Sequence, residues 1–414
     1  MPPAVAMTNF GLERTKFKIM SQLFSPSALA AADIVCFSHL RWDFVYQRPQ
    51  HLMSRFARDR RVFFVEEPVI HDGEPGWVFS TVEVNVTRCV PKLADTTTDE
   101  QRPGAMQFLV NSLADKFECH ECVEWFYTPM MLDWALGLSP VATVYDCMDE
   151  LSKFRFAPGG IVDMEQRLFE KADLVFTGGH SLYKAKRAQH AAVHEFPSSI
   201  DSSHFRRALF EHEEMPEQVQ LPHPRIGYAG VIDERIDLDL VAAAADLKPD
   251  WSFIMLGPVV KIDPESLPQR PNIHYLGMKE YGDLPRYFAG WDVGMMPFAL
   301  NESTEFISPT KTPEYLAAGL AVISTPITDV IRPYGELGLV EIIADAHEFV
   351  DSVNRALTSD KVDRLRKADI FLSERSWDGT QRAMNKLINS LAKNSRLTGT
   401  ARKAGSQSSL RYAA

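Results

Sequence analysis

Ser308-Pro309-Thr310-Lys311-Thr312-Pro313-Glu314-Tyr315-Leu316-Ala317-Ala318-Gly319-Leu320-Ala321-Val322-Ile323 reads as loop, helix, glycine stop and strand. Proline is favoured at the first helical position and breaks a helix further in. The helix therefore starts at Pro309 or, with Thr312 as N-cap, at Pro313. The same rhythm of short apolar runs separated by helical stretches continues upstream. Strands are expected at Arg225–Ala229, Trp251–Leu256, Ile273–Leu276, Val293–Met296 and Ala321–Ser324.

An earlier series has the same character. Ile34–Phe37, Val62–Val65, Val123–Tyr127, Ala142–Tyr145 and Leu174–Thr177 read as strands, with helices at Gln50–Arg58, Met131–Leu136 and Asp163–Lys171. Strands alternating with helices imply parallel sheets covered on both faces. The periodicity fails over 204–224, where Glu211, Glu213, Glu214, Pro216, Glu217, Pro222 and Pro224 read as an exposed linker. The predicted organisation is a poorly ordered extension (1–32), a first α/β domain (33–203) completed by a C-terminal helix (376–395), the linker (204–224) and a second α/β domain (225–375). A disordered basic tail (396–414) follows. Two open α/β sheets joined by a hinge place a site in the cleft beyond the C-terminal strand ends.

Composition narrows the function. The 414 residues are 45% hydrophobic and 24% charged, the make-up of a folded domain pair. A net charge of −11 argues against nucleic acid as a partner. No apolar run approaches the roughly 18 residues of a membrane span. Five cysteines, sparse and odd in number, fit a reducing cytoplasm. Lys16 to Ala32 faintly echoes a cleavable signal, but Ser21, Gln22, Ser25, Pro26 and Ser27 interrupt its apolar core. The tail carries Arg396, Arg402, Lys403 and Arg411 without an acid. It can touch anionic lipid at about 1 kcal/mol per charge, although a solvated terminus is the simpler reading.

Either start of the Lys311 helix leaves backbone N–H groups and a positive dipole end beside Lys311 and Thr310, a seat for a diphosphate. Glu314, a turn inside, can accept both hydroxyls of a ribose. In the first domain the loop from Ser38 to His51 follows a buried strand and holds His39, Arg41, Trp42, Phe44, Tyr46 and Arg48. Aromatic rings there can stack on sugars, and Arg41 and Arg48 can hold an anion. A loop wedged into the domain interface, with Arg48 salt-bridged, is the plainer alternative. Asp146 and Asp149 follow another strand of that domain and also face the cleft, unless they cap the next helix. His180, after Gly178-Gly179, is a further cleft residue if it does not merely cap or pack. Asp237-Leu238-Asp239 spells an acid-x-acid triplet but suits the opening of a helix. Cys119-His120-Glu121-Cys122 offers at most three soft ligands, too few for zinc.

The ordered series from residue 33 to 391 resembles the GT-B glycosyltransferases, in which two Rossmann-like domains face each other across a cleft. Lys311, Glu314 and Tyr315-Leu316-Ala317-Ala318-Gly319 match that family's phosphate-and-ribose helix, and Phe196–Phe205 resembles its interdomain signature. Asn272–Gly277, Leu284–Phe288 and Trp291–Phe298 resemble its base-binding strand and the helix and strand after it. Ser376-Trp377-Asp378 resembles the point where the last helix crosses back. The resemblance is family 1/4-like, with a distant likeness to inverting, membrane-associated glucuronosyltransferases around Val144–Ser152.

That resemblance implies a metal-independent hexosyltransferase without cofactor, using a nucleotide sugar, UDP-sugar first, as co-substrate. Its acceptor would be a glycan or lipid-linked acceptor in envelope or exopolysaccharide synthesis. It would work in the cytoplasm, in peripheral contact with the inner membrane. Lys311, Glu314, Thr310, Tyr315, Gly230 and Arg235 would bind the donor. Asp149 would deprotonate the acceptor, with Asp146 as rival, and His39, Arg41, Trp42, Arg48 and His180 would line the acceptor side. Two departures stand out. Where retaining members carry a first glutamate, eight positions before Glu314, this chain has Phe306, and the expected Gly-rich acceptor loop is replaced. A sugar-nucleotide epimerase of the same fold and a non-catalytic partner subunit are the competing readings.

Overall fold

A computed structural model describes residues 32–210 and 213–391. The expected N-terminal extension, apart from Ala32, and the basic tail lie outside the described residues. Among the described residues two separate sheets form. The first contains β1 (Asp33–Phe37), β2 (Val62–Val65), β3 (Val69–His71), β4 (Gly76–Glu83), β5 (Val86–Ala94), β6 (Cys122–Phe126), β7 (Ala142–Cys147), β8 (Leu174–Thr177) and β9 (Val193–Glu195). The second contains β10 (Arg225–Ala229), β11 (Ser252–Leu256), β12 (Ile273–Gly277), β13 (Val293–Met296), β14 (Ala321–Ser324) and β15 (Glu341–Ile342).

The nine-stranded first sheet runs β3-β5-β2-β1-β6-β7-β8-β9, parallel except where β4 pairs antiparallel with β5. β1 shows why a continuous apolar run is needed. Val35 and Phe37 enter one core while Ile34 and Cys36 enter the core on the opposite face. Both faces are thus covered, as a parallel strand requires. The second sheet runs β12-β11-β10-β13-β14-β15, all parallel. This is the doubly wound order, with the direction of winding reversing between β10 and β13; in the first sheet it reverses between β1 and β6. Ligand crevices belong at those reversals.

The helices that shape the site are α1 (Arg48–Phe56), α2 (Arg102–Phe117), α3 (Ile161–Lys171), α4 (His180–Lys186), α5 (Leu238–Leu247), α6 (Leu284–Ala289), α7 (Lys311–Ala317), α8 (Ala346–Thr358) and α9 (Lys361–Leu372). A last helix, 377–391, is α10. Trp377, Met384 and Ile388 bury into the first domain's core, and Arg55 of α1 holds Asp378 at 3.2 Å.

Three expectations need correction. α7 begins at Lys311, with Thr310 at the N-cap, rather than at Pro309 or Pro313. Pro313 falls in the first turn, where no N–H partner is lost. The Met131–Leu136 helix is a 3₁₀ turn, Pro129–Ala135. The segment 204–224 is not an exposed linker throughout. Phe205 is buried in the second core, and Gln218 is buried, donating to Tyr287 O at 2.9 Å and accepting from Trp291 Nε1 at 3.1 Å. Asp237 caps α5 by accepting the Leu240 N–H at 2.8 Å, which accounts for the acid-x-acid triplet. Cys119 and Cys122 are buried free thiols, and His120 pairs with Asp115 at 2.8 Å. Among the described residues no helix is long and apolar enough to cross a membrane.

Candidate active site

Several chain segments meet where the cleft narrows, among them the start of α1, the turns after β7, β8 and β10, and the loop entering α7. They enclose a cavity of about 100 Å³ whose wall includes Asp149, Gly178, Tyr228, Arg235, Thr310 and Lys311. Acid from the first domain and cations from the second thus share one space.

Lys311 is half-buried, its Nζ 5.4 Å from the Tyr228 ring centroid and 5.9 Å from that of Phe298. Burial, reinforced by the charge of Arg235, lowers its pKa. Gly230 makes this position possible. Its φ is +153°, and a Cβ there would lie 2.2 Å from Lys311 Cε. Glycine therefore leaves the ammonium room beside the backbone. Glu314, one turn on, is also half-buried, and burial raises its pKa while Lys311 opposes the rise. The helix end itself contributes less than expected. α7 has seven residues, Thr312 N–H bonds Pro309 O at 3.3 Å, and Pro313 has no N–H.

Arg235 also faces the cavity, but Asp233 grips it through Nε at 2.9 Å and Nη2 at 2.7 Å. Asp233 went unassigned in the sequence; an acid two residues before the arginine was the available signal. Asp149 is half-buried, and burial pushes its carboxyl up to about 6, against the pull of Arg235, Arg48 and Lys261. A carboxylate poised near neutral pH suits a general base.

Several candidates are structural instead. Asp146 is fully buried and clasped by Arg48, with Nη2–Oδ1 at 2.7 Å and both carboxylate oxygens within 3.1 Å of Nε. Arg48 also donates to Phe196 O at 2.7 Å, so neither residue of this pair is free to serve as base or acceptor ligand. Arg41 is spent on Glu66 at 3.0 Å and Glu67 O at 2.6 Å. Trp42 is buried edge-on against Phe64 at 5.0 Å and cannot stack on a sugar. Tyr315 is fully buried, its hydroxyl accepting the Ala229 N–H at 2.8 Å, so it braces α7 against β10 rather than touching a ligand. His180 begins α4 and pairs with Glu195 at 2.9 Å, away from the cavity wall. Tyr46 stacks on Tyr281 of the second domain at 4.5 Å, which makes it an interface residue.

His39 lines a second and larger cavity of about 850 Å³, opening on the first-domain side of the cleft. Its Nδ1 is buried without a hydrogen-bond partner, and burial lowers its pKa to about 4, so the ring is neutral at pH 7. Lys261, in the loop after β11, reaches this cavity as well. No pattern around Lys261 in the sequence marks it.

Comparison with known proteins agrees with this architecture. Residues 223–359 match the family model for glycosyl transferases group 1. The putative teichuronic acid biosynthesis glycosyltransferase TuaH of Bacillus subtilis (strain 168) is 26% identical over 233 residues, 51% of this chain. The match spans 58% of that relative's length. Among solved structures, sucrose-phosphate synthase from Thermosynechococcus elongatus superposes with a TM-score of 0.64 at 13% identity, covering 87% of this chain and 99% of that one. The E. coli trehalose-6-phosphate protein bound with UDP-2-fluoro glucose gives 0.62 at 12%, covering 86% and 99%. By its paired doubly wound sheets the chain has the fold of these GT-B structures, and its second domain is similar to the glycosyl transferases group 1 over residues 223–359.

Proposed function

We propose that the protein transfers a hexose from a nucleoside-diphosphate sugar to a hydroxyl of a cell-envelope glycan or lipid-linked acceptor. The carrying observation is the single cavity that joins Asp149 of the first domain to Lys311 and Arg235 of the second. Lys311 neutralises the leaving diphosphate beside the open backbone of Gly230, with Thr310 next to it. Arg235, steadied by Asp233, adds a second positive edge. Glu314 takes the ribose hydroxyls. Asp149 removes the acceptor's proton as the anomeric carbon becomes oxocarbenium-like. Fixed donors aimed at the developing charge on the leaving group supply the largest part of the catalysis.

A UDP-sugar is the first donor to try, supported by the UDP-2-fluoro glucose in one structural neighbour. The envelope setting is supported by the relative named for teichuronic acid biosynthesis. No metal enters the proposed chemistry, because cationic side chains occupy the leaving-group position.

The test is a thermal-stabilisation titration with UDP, GDP, ADP, CMP and dTDP, run in parallel on the parent and Glu314→Ala. Saturable stabilisation by one nucleotide, lost in the variant, is expected. Absence of stabilisation by all five refutes the donor site.

A further inference from the structure

The 850 Å³ cavity is walled in part by Leu151 and the segment after it, and Lys261 on its wall acts electrostatically on the Asp149 carboxyl. Its surface is mainly apolar, with Met130, Trp134, Phe154 and Phe156 contributing side chains. Set into this surface are three cations and two carboxylates, Glu67 and Asp99. Arg102 is paired with Asp99 at 2.9 Å. Arg155 and Lys261 have no carboxylate within ion-pair distance among the described residues, although the chain carries a net charge of −11. Each is held over an aromatic ring instead, Lys261 at 5.1 Å from the Phe154 centroid and Arg155 at 5.1 Å from that of Phe156.

Two of these residues sit in backbone conformations that favour glycine, Phe156 at φ 64° and Lys261 at φ 63°. Among the described residues, the other non-glycine residues with positive φ are Asn85, at the β4–β5 turn, and Glu118, the C-cap of α2. Phe156 is also 74% exposed, an aromatic ring displayed at the cavity mouth. Exposed apolar surface rimmed by unpaired charge marks a binding face. The two arginines expected to hold an anionic acceptor, Arg41 and Arg48, are consumed by Glu66 and Asp146, which leaves Lys261 and Arg155 for that work.

We infer that this cavity binds an amphiphilic acceptor, an apolar chain with a phosphate at its head, seating the phosphate on Lys261 and Arg155 and the chain along Phe156 and Trp134. The inference rests on the transfer reading given above for its account of why such a molecule enters. The hydroxyl that is glycosylated then lies toward Asp149, and the unpartnered Nδ1 of His39 offers it a second acceptor.

Calorimetry on the full chain, with decyl phosphate, uncharged decyl glucoside and inorganic phosphate as probes, tests this. Decyl phosphate should bind saturably and at least tenfold more tightly than either of the others. Lys261→Gln should weaken it about tenfold, Lys261→Arg should restore it, and Phe156→Ala should weaken decyl phosphate without changing the response to inorganic phosphate. Equal affinity for decyl glucoside, or an unaltered Lys261→Gln, overturns the inference. UDP stabilisation is measured on the same samples. Stabilisation by UDP without decyl phosphate binding removes the amphiphile site and leaves the donor site standing. The reverse result keeps this site and removes the donor reading.

Discussion

Asp149→Asn should slow transfer by orders of magnitude while making the protein more stable at neutral pH. The carboxyl is raised from an ordinary 3.8 to about 6, chiefly because the cavity wall strips it of water. At about 1.4 kcal/mol per pH unit, holding it ionised in the folded state costs about 3 kcal/mol. The sign follows from proton binding. Between about pH 4 and 6 the native protein holds this proton more tightly than the unfolded chain, so stability falls as pH rises through that window. Below it both states are protonated and the penalty vanishes. Asparagine keeps the shape but cannot ionise, so the variant should exceed the parent by up to about 3 kcal/mol above pH 7. That corresponds to several degrees in melting temperature. The gain should shrink to nothing near pH 4. Donor binding should persist, and turnover should drop by about 10²–10⁴, the usual contribution of a general base. Thermal melts from pH 4 to 8, paired with a radiolabelled-sugar transfer assay, read both effects. A variant that is destabilised at pH 7.5, or one that turns over within about tenfold of the parent, refutes the assignment of Asp149 as a strained base.

Lys311→Ala should weaken nucleoside-diphosphate affinity by about 1.5–3 kcal/mol, one charge-assisted contact; unchanged calorimetric affinity would remove Lys311 from the site. Gly230→Ala places a Cβ 2.2 Å from Lys311 Cε and 2.5 Å from its Nζ, at a φ of +153° that strains any side chain, and should lose affinity comparably with some loss of stability; an unchanged calorimetric affinity would count against the close approach. Asp146→Asn breaks the buried pair with Arg48 and should cost about 3–5 kcal/mol of stability, visible in a denaturant melt; a parent-like melt would contradict a structural role. Because burial lowers the Lys311 pKa and an incoming diphosphate must raise it, nucleotide binding should take up protons and weaken as pH rises into the alkaline range. Calorimetry in two buffers of different ionisation enthalpy checks this, and a buffer-independent enthalpy would count against it.

The fold was legible wherever a strand is buried on both faces. Leu174–Thr177, Arg225–Ala229, Val293–Met296 and Ala321–Ser324 are continuous buried runs, and their bounds follow from the sequence alone. The β4–β5 hairpin was not, because Gly76–Glu83 is a half-exposed edge strand in which Ser80, Thr81 and Glu83 blur the alternation. α2 does carry a helical signal, Met106, Leu109, Val110 and Leu113 in three-and-four spacing, between flanks that look like loop. Site residues were legible by type and not by partner. Arg48 and Asp146 stand 98 positions apart, and Arg41 and Glu66 stand 25 apart, so only the folded sheet shows that each arginine is already spoken for. Lys261 illustrates the converse. It lies in an ordinary loop and gains meaning only because β11 carries that loop to the cleft.

The placement of acid and base on opposite domains ties the chemistry to closure. Of the charged residues on the wall of the small cavity, Arg48, Arg235 and Lys311 are cationic and Asp149 is anionic, and Asp146 and Asp233 pair with the first two. What remains is local geometry: Arg235 is committed to Asp233, and Lys311, beside Gly230, is the cation with room for a new partner. The domains are latched around that point by Ser198 Oγ to Ser308 O at 2.7 Å, by Ser181 N–H to Asp329 at 3.0 Å, and by Arg155 N–H to Glu234 at 3.2 Å. Ser308 stands three residues before Lys311, and Glu234 stands next to Arg235, so the latches act on the loops that carry the cations. On the proposed assignment, separating the domains would remove the burial that raises the Asp149 pKa and also the charges of Arg235 and Lys261 that lower it, and would admit water. On that assignment Asp149, Arg235 and Lys311 act as one site only while the donor and acceptor halves are together around the small cavity.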